Sequence, residues 1–219
     1  MSIVDTIFIN SKNNNFVVPD YARNIYYIIQ QSDVQTMISR AKLLRDMALV
    51  SVFYLTGARP VEVQQLKFSN IMQSGVNTII TVKTAKLKKE NDKSYLIDER
   101  KLEFIPSTPF LDIIHKYRQS QEAHKVHSVS DGASCNELMF KLSLSRIKHI
   151  VYELSEGLGN GESRKLGFCP YVFRHSRMYK MSDSGAGIAD LMNWKGAKDM
   201  RSAERYLRNK PIGKNFKIE

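Results

Sequence analysis

Residues 56–66 read TGARPVEVQQL, and this stretch predicts a tight corner between two helices. Gly57 is typical of the residue that follows the last turn of a helix, and Pro60 is favoured in the first turn of the next one. The backbone therefore holds Arg59 in the corner. A guanidinium fixed in this way can bind a phosphate through two hydrogen bonds with little further loss of side-chain freedom. The alternative is an ordinary surface ion pair between Arg59 and Glu62.

The residues before this corner predict helices preceded by an arm. Residues 1–18 are rich in asparagine and poor in helix signals, so we expect an N-terminal arm rather than a domain. Between residues 20 and 55, apolar residues recur at helical spacing, which indicates two helices or three short ones. These apolar residues are Ile25, Ile28, Ile29, Met37, Leu43, Leu44, Met47, Val50, Val52 and Leu55.

The residues after the corner predict one small sheet followed by further helices. β-branched and aromatic residues are concentrated between 77 and 105, with the polar LKKEND (87–92) as a hairpin tip. Helical periodicity then returns in the segments 110–117, 138–158, 172–183, 188–194 and 200–207, with polar loops at 119–136 and 159–170. The predicted fold class is α+β, a predominantly helical single domain over residues 19–219 with a small antiparallel sheet.

The charge of the chain points to a polyanion as its partner. Lys and Arg total 33 against 22 acidic residues, a net charge of +11, and basic residues concentrate in the segments 83–93 and 195–214. Such segments suit the phosphate backbone of a nucleic acid, although two solvated surfaces are the alternative. The two cysteines form no disulfide framework and there is no run of about 18 apolar residues, so we expect a soluble, cytoplasmic protein without a membrane span.

Residues 171–177, YVFRHSR, place three potential cations in one turn of a predicted helix. These are Arg174, His175 and Arg177, and they repel one another unless an anion or solvent lies among them. The stretch therefore predicts an anion-binding surface.

Two further residues can be interpreted in two ways. Lys83, just before the predicted hairpin tip, can reach beyond the surface of the domain, but most hairpin lysines are simply solvated. Tyr206, in the stretch SAERYLRNK (202–210), is either a functional phenol or a core tyrosine of a short amphipathic helix.

Together these stretches resemble the catalytic domain of the tyrosine recombinase, or phage-type integrase, family. The resemblance is carried, in the family's order, by a first-arginine box TGARPVEVQQLKFSNI (56–71), a hairpin-lysine segment VKTAK (82–86), a His-x-x-Arg-His-like box PYVFRH (170–175) and a tyrosine segment GIADLMNWKGAKDMRSAERY (187–206). The separation from Arg174 to Tyr206, 206 − 174 = 32, matches the family's register without a gap. The resemblance covers roughly residues 20–207, and four boxes in order are far more specific than any one of them.

The resemblance implies a catalytic domain with a three-stranded antiparallel sheet and a short C-terminal tail, residues 208–219. It also implies DNA strand cleavage by transesterification, in which Tyr206 attacks a phosphodiester and forms a 3′-phosphotyrosyl bond. Arg59 and Arg174 would hold the phosphate and neutralise the charge that develops on it, and Lys83 would protonate the departing 5′ oxygen. The implied reaction needs no metal ion and no cofactor.

Two positions depart from the family's pattern. Tyr171 stands where the third box usually opens with histidine or lysine, and because a phenol can donate a hydrogen bond to a phosphate oxygen, Tyr171 joins the predicted catalytic residues. The family's late histidine or tryptophan falls on Ala197. Trp194, Lys195 and Lys198 are candidates for that role, and a buried packing role is the alternative for Trp194.

The implied partner is double-stranded DNA, with no small-molecule substrate. The residues predicted to bind it are Lys86, Lys88, Lys89, His175, Trp194 and Lys198. His175 either contacts the scissile phosphate or buttresses the site, and Arg177 reaches the same anion or solvent. C-terminal tails of the family often dock on a neighbouring subunit, so we expect a tetramer on DNA, at the nucleoid or on viral or plasmid DNA in the cytoplasm.

The sequence leaves three other functions open. An accessory DNA-binding protein could keep the fold without catalysis, which the missing late histidine or tryptophan favours and the retained arginines and tyrosine oppose. A type IB topoisomerase shares the implied chemistry. A metal site at His124, His127 and Cys135 lacks a spacing typical of zinc.

Overall fold

The computed structural model describes residues 17–19, 25–84, 98–126, 137–158, 168–196 and 200–207. The strands are β1 (Val17–Pro19), β2 (Ile25–Tyr27), β3 (Ile71–Ser74), β4 (Asn77–Thr84) and β5 (Asp98–Phe104). The helices are α1 (Gln31–Arg40), α2 (Leu44–Thr56), α3 (Pro60–Gln64), α4 (Leu111–Val126), α5 (Leu144–Leu154), α6 (Tyr171–Asp183), α7 (Ile188–Lys195) and α8 (Arg201–Glu204).

Helix α2 lies at the centre of the larger hydrophobic core. Its residues are apolar on nearly every face, which is typical of a helix that is buried all round, and Leu49, Val50 and Phe53 are fully buried. It packs against α1, α4 and α6, and the rings of Phe53 and Phe173 stack with their centroids 5.8 Å apart. This packing holds the end of α2 against α6.

The corner between α2 and α3 forms as the sequence predicts. Gly57 ends α2 in the left-handed conformation, with φ of 57°, and Pro60 begins α3 directly after Arg59. A Cβ atom at Gly57 would lie 3.1 Å from Arg177 Cβ and 3.4 Å from Arg174 Cα. Glycine therefore serves two purposes here, because it supplies the left-handed turn and allows α6 to approach the corner closely.

β3, β4 and β5 form the expected three-stranded antiparallel sheet, in that order. The register of β4 and β5 places Lys83 opposite Glu99, and Val82 opposite Arg100. Because side chains alternate along a strand, Val82 and Arg100 share the buried face, and Lys83 and Glu99 share the other one. The predicted hairpin tip, 87–92, lies outside the described residues.

Residues 25–27 correct the sequence prediction. The isoleucine spacing predicts a helix from residue 25, but Ile25–Tyr27 pairs with Val17–Pro19 in a two-stranded antiparallel sheet. The residues of Ile25–Tyr27 are β-branched or aromatic, types that favour strands. The chain then stays extended, and the Ile29 N–H donates to Ser176 Oγ at 2.9 Å, which attaches it to α6. Residues 1–16 of the predicted arm lie outside the described residues.

Two helix boundaries also differ from the prediction. α4 continues through residues 119–126, whose polar composition predicts a loop, because glutamine, glutamate, alanine and lysine are good helix formers. α5 begins at Leu144 rather than at residue 138, because the preceding segment is extended and the Met139 N–H donates to the Leu66 carbonyl at 2.7 Å.

A second hydrophobic cluster packs α6, α7 and α8 together. Its buried members are Ile28, Met178, Tyr179, Leu191, Ala203 and Tyr206. The predicted helices at 172–183 and 188–194 are confirmed as α6 and α7, whereas the helix predicted over 200–207 is limited to Arg201–Glu204 and ends in a turn. Ser182 Oγ donates to the Tyr206 carbonyl at 2.8 Å, which ties this turn to α6. Across the described segments, none of the helices has the length and apolar character that crossing a bilayer requires.

Candidate active site

Arg59 lies at the rim of a buried carboxylate. Glu62, in the first turn of α3, is 1% exposed, and its Oε2 accepts the Arg59 backbone N–H at 2.8 Å while its Oε1 accepts Arg59 Nη1 at 2.7 Å. The Arg59 side chain is 33% exposed. The Arg59–Glu62 ion pair, which was one of the two interpretations of the sequence, therefore forms. Its carboxylate is buried, and only the Arg59 guanidinium reaches solvent.

The Glu62 carboxylate is shared by three guanidinium groups. Besides Arg59, Arg100 Nη2 lies 2.7 Å from Glu62 Oε2 and Arg174 Nη1 lies 3.9 Å from the same oxygen. Burial raises the pKa of Glu62, but the hydrogen bond and charge of Arg100, helped by the other two arginines, bring it below its ordinary value. Three positive charges against one negative leave an excess of two, which a phosphate would offset in surroundings of low dielectric constant.

Arg174 is buried, and its hydrogen bonds go to neutral groups. It is 4% exposed, Nη1 donates to the Gly57 carbonyl at 3.0 Å, and Nη2 donates to the Lys195 carbonyl. These bonds connect α6 to the α2–α3 corner and to the end of α7. Burial, followed by the charge of Arg59, lowers the pKa of Arg174 to about 10. The guanidinium stays charged at neutral pH, but its charge is less stable than in water, and an anion beside it would stabilise it.

Arg59, Arg100 and Arg174 form an arginine cluster around Glu62, and Tyr206 is connected to this cluster through His175. The Tyr206 hydroxyl lies 2.9 Å from His175 Nδ1, and His175 directly follows Arg174 in α6. Lys195 Nζ lies 5.3 Å from the centre of the Tyr206 ring. Tyr206 is 2% exposed. It is thus a core tyrosine, which is one of the two interpretations of the sequence, and also a neighbour of the arginine cluster.

Lys83 lies at the base of the hairpin, and the structure does not place it in the arginine cluster. Its Nζ is 3.3 Å from Glu99 Oε1, both side chains are partly exposed, and both are on the sheet face opposite to Arg100. The other lysines predicted to bind DNA from this hairpin are Lys86, Lys88 and Lys89, and they lie outside the described residues.

Trp194 is packed within the fold. Its indole N–H donates to the Thr56 carbonyl at 3.0 Å, and its ring meets Phe104 edge-on at 5.8 Å between centroids. The guanidinium carbon of Arg177 lies 4.7 Å from the centre of the indole. These contacts favour the packing interpretation of Trp194. They also place the Arg177 guanidinium over the face of the indole, where a cation–π interaction stabilises it.

The remaining predicted residues lie at the surface or outside the described residues. Tyr171 is the first residue of α6 and is 45% exposed, one turn before Arg174. Outside the described part of the chain lie Ala197, Lys198, His127, Cys135 and the side chain of His124. Within the described part, no group of histidine, cysteine, aspartate and glutamate side chains is arranged to hold a metal ion.

Sequence reasoning missed Arg100. It is 7% exposed on the buried face of β5, where Nη1 donates to Thr84 Oγ1 at 3.1 Å in addition to the ion pair with Glu62. The available signal was alternation, because Arg100, Leu102 and Phe104 are every second residue of a predicted strand. A charge on the buried face requires an opposite charge nearby.

Gly196 brings the end of α7 against this part of the site, and we expect its replacement by alanine to be destabilising. Gly196 has φ of 61°, and an added Cβ would lie 2.7 Å from Thr84 Oγ1 and 3.0 Å from Arg100 Nη1. The left-handed backbone alone costs a residue with a Cβ roughly 1–2 kcal/mol, and the collision with the threonine adds to that. Urea denaturation of Gly196→Ala measures the sum.

Gly75→Ala is the matched control for Gly196→Ala. Gly75 has nearly the same φ, 58°, but an added Cβ would meet nothing within 4 Å. The difference between the two losses of unfolding free energy isolates the collision. Equal losses would show that α7 does not press on Arg100 and Thr84.

The fold is that of the catalytic domain of tyrosine recombinases, and the resemblance predicted from the sequence is confirmed at this level. XerA recombinase is a similar solved structure, with 18% sequence identity and a TM-score of 0.57 over 83% of this chain and 60% of that one. XerH site-specific recombinase bound to its difH substrate has 13% identity and a TM-score of 0.58 over 86% of this chain and 56% of that one. The Tn1549 transposon integrase in complex with transposon right-end DNA has 11% identity and a TM-score of 0.53 over 94% of this chain and 62% of that one.

The chain spans between 56% and 62% of the length of these three structures. No protein-family model matches it, and no curated protein matches it.

Proposed function

We propose that this chain is the catalytic part of a site-specific DNA recombinase or integrase that cuts and rejoins strands by transesterification. The observation that carries the proposal is the juxtaposition of a partly buried arginine cluster, positively charged in excess of its one carboxylate, with a tyrosine hydroxyl bonded to the histidine next to Arg174. A phosphodiester is the group that such a cluster suits, and a phenol is a nucleophile for it.

In the proposed reaction the Tyr206 oxygen attacks the scissile phosphorus while its proton passes to His175 Nδ1. The existing 2.9 Å contact already joins the two atoms, so no new partner is needed for the proton. The bond between phosphorus and the 5′ oxygen breaks, which leaves a 3′-phosphotyrosyl bond and a free 5′ hydroxyl. The energy of the broken ester is kept in the new one, so a second 5′ hydroxyl can reverse the step and join strands.

Arg59 and Arg174 supply the positive charge for this step. Arg59 faces solvent at the rim and Arg174 lies deeper, so the two can approach different non-bridging oxygens of one phosphate. Their positions are fixed before DNA arrives, Arg59 by Glu62 and Arg174 by two backbone carbonyls. Preorganised charge of this kind stabilises the transition state without a further cost of reorganisation.

Lys83 protonates the 5′ oxygen in this proposal, and Tyr171 donates a further hydrogen bond to the phosphate. Lys83 must leave Glu99 to do so, and since both side chains are partly exposed, their ion pair is weak. Tyr171 projects from the exposed start of α6, one turn before Arg174. Assembly into a tetramer on DNA also belongs to the proposal, and sedimentation with one protomer per site on a complete recombination substrate would contradict it.

Covalent trapping tests the function. We would incubate the chain with a pool of 5′-labelled duplexes that share a nick beside a randomised segment, so that cleavage a few nucleotides upstream of the nick releases a short 5′-hydroxyl fragment. Because that fragment diffuses away, the reverse reaction is lost and label should accumulate on a protein band that survives boiling in SDS. Retention of DNA by the native chain without any such band would contradict the proposal and favour an accessory binding protein.

Sequencing the trapped strands separates the two catalytic alternatives. A recombinase should enrich a particular sequence upstream of the cleaved bond, because base contacts restrict where it cuts. An unrestricted pool, together with relaxation of supercoiled plasmid, would instead identify topoisomerase-like activity.

A further inference from the structure

Arg100 is a buried charge that the proposed reaction does not use. Its side chain lies on the core face of β5, where Nη2 binds Glu62 and Nη1 binds Thr84, while its buried Nε has no hydrogen-bond acceptor. Removing a guanidinium from water is costly even when it is paired. A leucine or methionine would fill the same face of the strand without that cost, which points to a role for the charge itself.

Arg100 and Arg174 compete for one carboxylate oxygen. Glu62 Oε2 lies 2.7 Å from Arg100 Nη2 but 3.9 Å from Arg174 Nη1. Arg100 therefore takes the hydrogen bond, and Arg174 donates instead to two backbone carbonyls, which carry no net charge. Arg174, the most buried guanidinium of the site, therefore lies near the Glu62 carboxylate, which is already bound to Arg100.

We propose that Arg100 is a positioning residue that keeps the Glu62 carboxylate off Arg174, so that the charge of Arg174 stays available for a phosphate. Without Arg100, Glu62 keeps its two hydrogen bonds from Arg59, but its Oε2 loses the competing guanidinium. A small shift of either side chain would then close the 3.9 Å gap to Arg174, which would be neutralised within the protein. That the phosphate belongs to DNA rests on the proposed function, whereas the competition for Glu62 does not.

The test compares Arg100→Met with the double variant Arg100→Met/Glu62→Gln. If Arg100 acts by occupying Glu62, removing the Glu62 charge should make Arg100 dispensable. The first readout is the rise in melting temperature on adding inorganic phosphate at constant ionic strength, which needs no catalysis. The second is the rate of covalent trapping on the nicked duplex pool. Lys101→Met is the matched control, because it removes one positive charge from the exposed neighbouring position of β5.

We expect Arg100→Met to lose most of the phosphate-induced stabilisation and to slow trapping by roughly 10- to 100-fold, by analogy with the loss of residues that orient metal ligands. The double variant should regain most of both, and Lys101→Met should behave as the unmodified chain does. A double variant as defective as Arg100→Met overturns the proposal, since Arg100 would then support the fold or touch the phosphate itself. An unchanged phosphate response in Arg100→Met also overturns it.

Two further outcomes are decided by the same measurements. If Arg100→Met does not fold, the double variant tests the proposal by itself. Its rise in melting temperature on adding phosphate should be at least that of the unmodified chain, and a smaller rise contradicts the proposal. If the unmodified chain is never trapped on DNA, the proposed function fails, while the phosphate response still tests the role of Arg100.

Discussion

Replacing Arg174 by lysine should slow covalent attachment to DNA by about 10³- to 10⁵-fold, the range that arginines contribute to phosphoryl transfer. Lysine keeps the charge, but one ammonium cannot reach the Gly57 and Lys195 carbonyls with the spacing of a guanidinium and still face a phosphate. Single-turnover trapping on the nicked duplex pool, at a protein concentration that saturates binding, measures the loss.

Arg177→Lys is the matched control for Arg174→Lys. Arg177 lies one turn further along α6, is partly buried, and rests over the Trp194 ring. The same exchange there should slow trapping by less than about 30-fold, since the cation–π contact that it alters is worth about 0.5–2 kcal/mol. Equal losses in the two variants would show that the effect comes from the packing of α6 and not from the position of Arg174.

Tyr206→Phe should abolish covalent attachment while leaving DNA retention intact. The substitution removes the oxygen that attacks in the proposed reaction and one hydrogen bond to His175, worth about 1 kcal/mol of stability, and it leaves the buried ring in place. A thermal melt should therefore show a small decrease, and the trapped band should be absent at times when the unmodified chain has reacted completely.

Tyr179→Phe controls for the loss of a buried hydroxyl near the same place. The Tyr179 ring packs edge-on against the Tyr206 ring with 5.0 Å between centroids, so this variant removes a hydroxyl from the same cluster but leaves the Tyr206 hydroxyl in place. It should still form the trapped band. An adduct in Tyr206→Phe would assign the attack to another residue, which peptide mapping of the labelled band would identify.

Local signals in the sequence were sufficient for the corner at Arg59 and for α6. A glycine and a proline on either side of Arg59 define the turn by their own backbone preferences, with no reference to distant residues. The spacing between Arg174 and Tyr206 was interpretable only through the family resemblance. The structure adds what spacing cannot give, the contact between Tyr206 and His175.

Interactions that depend on distant pairing were not predictable in the same way. The strand at Ile25–Tyr27 forms because Val17–Pro19 pairs with it, and the helical spacing of isoleucines does not reveal that partner. Arg100 meets Glu62 because the β4–β5 register turns its side chain toward α3. The sequence does not determine which residues of the two strands pair, so it does not predict this contact. The sharing of one carboxylate by three arginines is a property of the assembled core.

The burial of Tyr206 has a consequence for the order of events on DNA. Because Tyr206 as a whole residue is 2% exposed, an incoming duplex would, under the proposed function, have to loosen the packing around α8 before the bond to phosphorus forms. Part of the binding free energy of the duplex would then offset the cost of loosening this packing, and a duplex that makes few contacts with the surface would not supply enough of it. Under the proposed function, discrimination between correct and incorrect sites would precede bond breaking, and Tyr206 would stay unreactive until a correct site is bound.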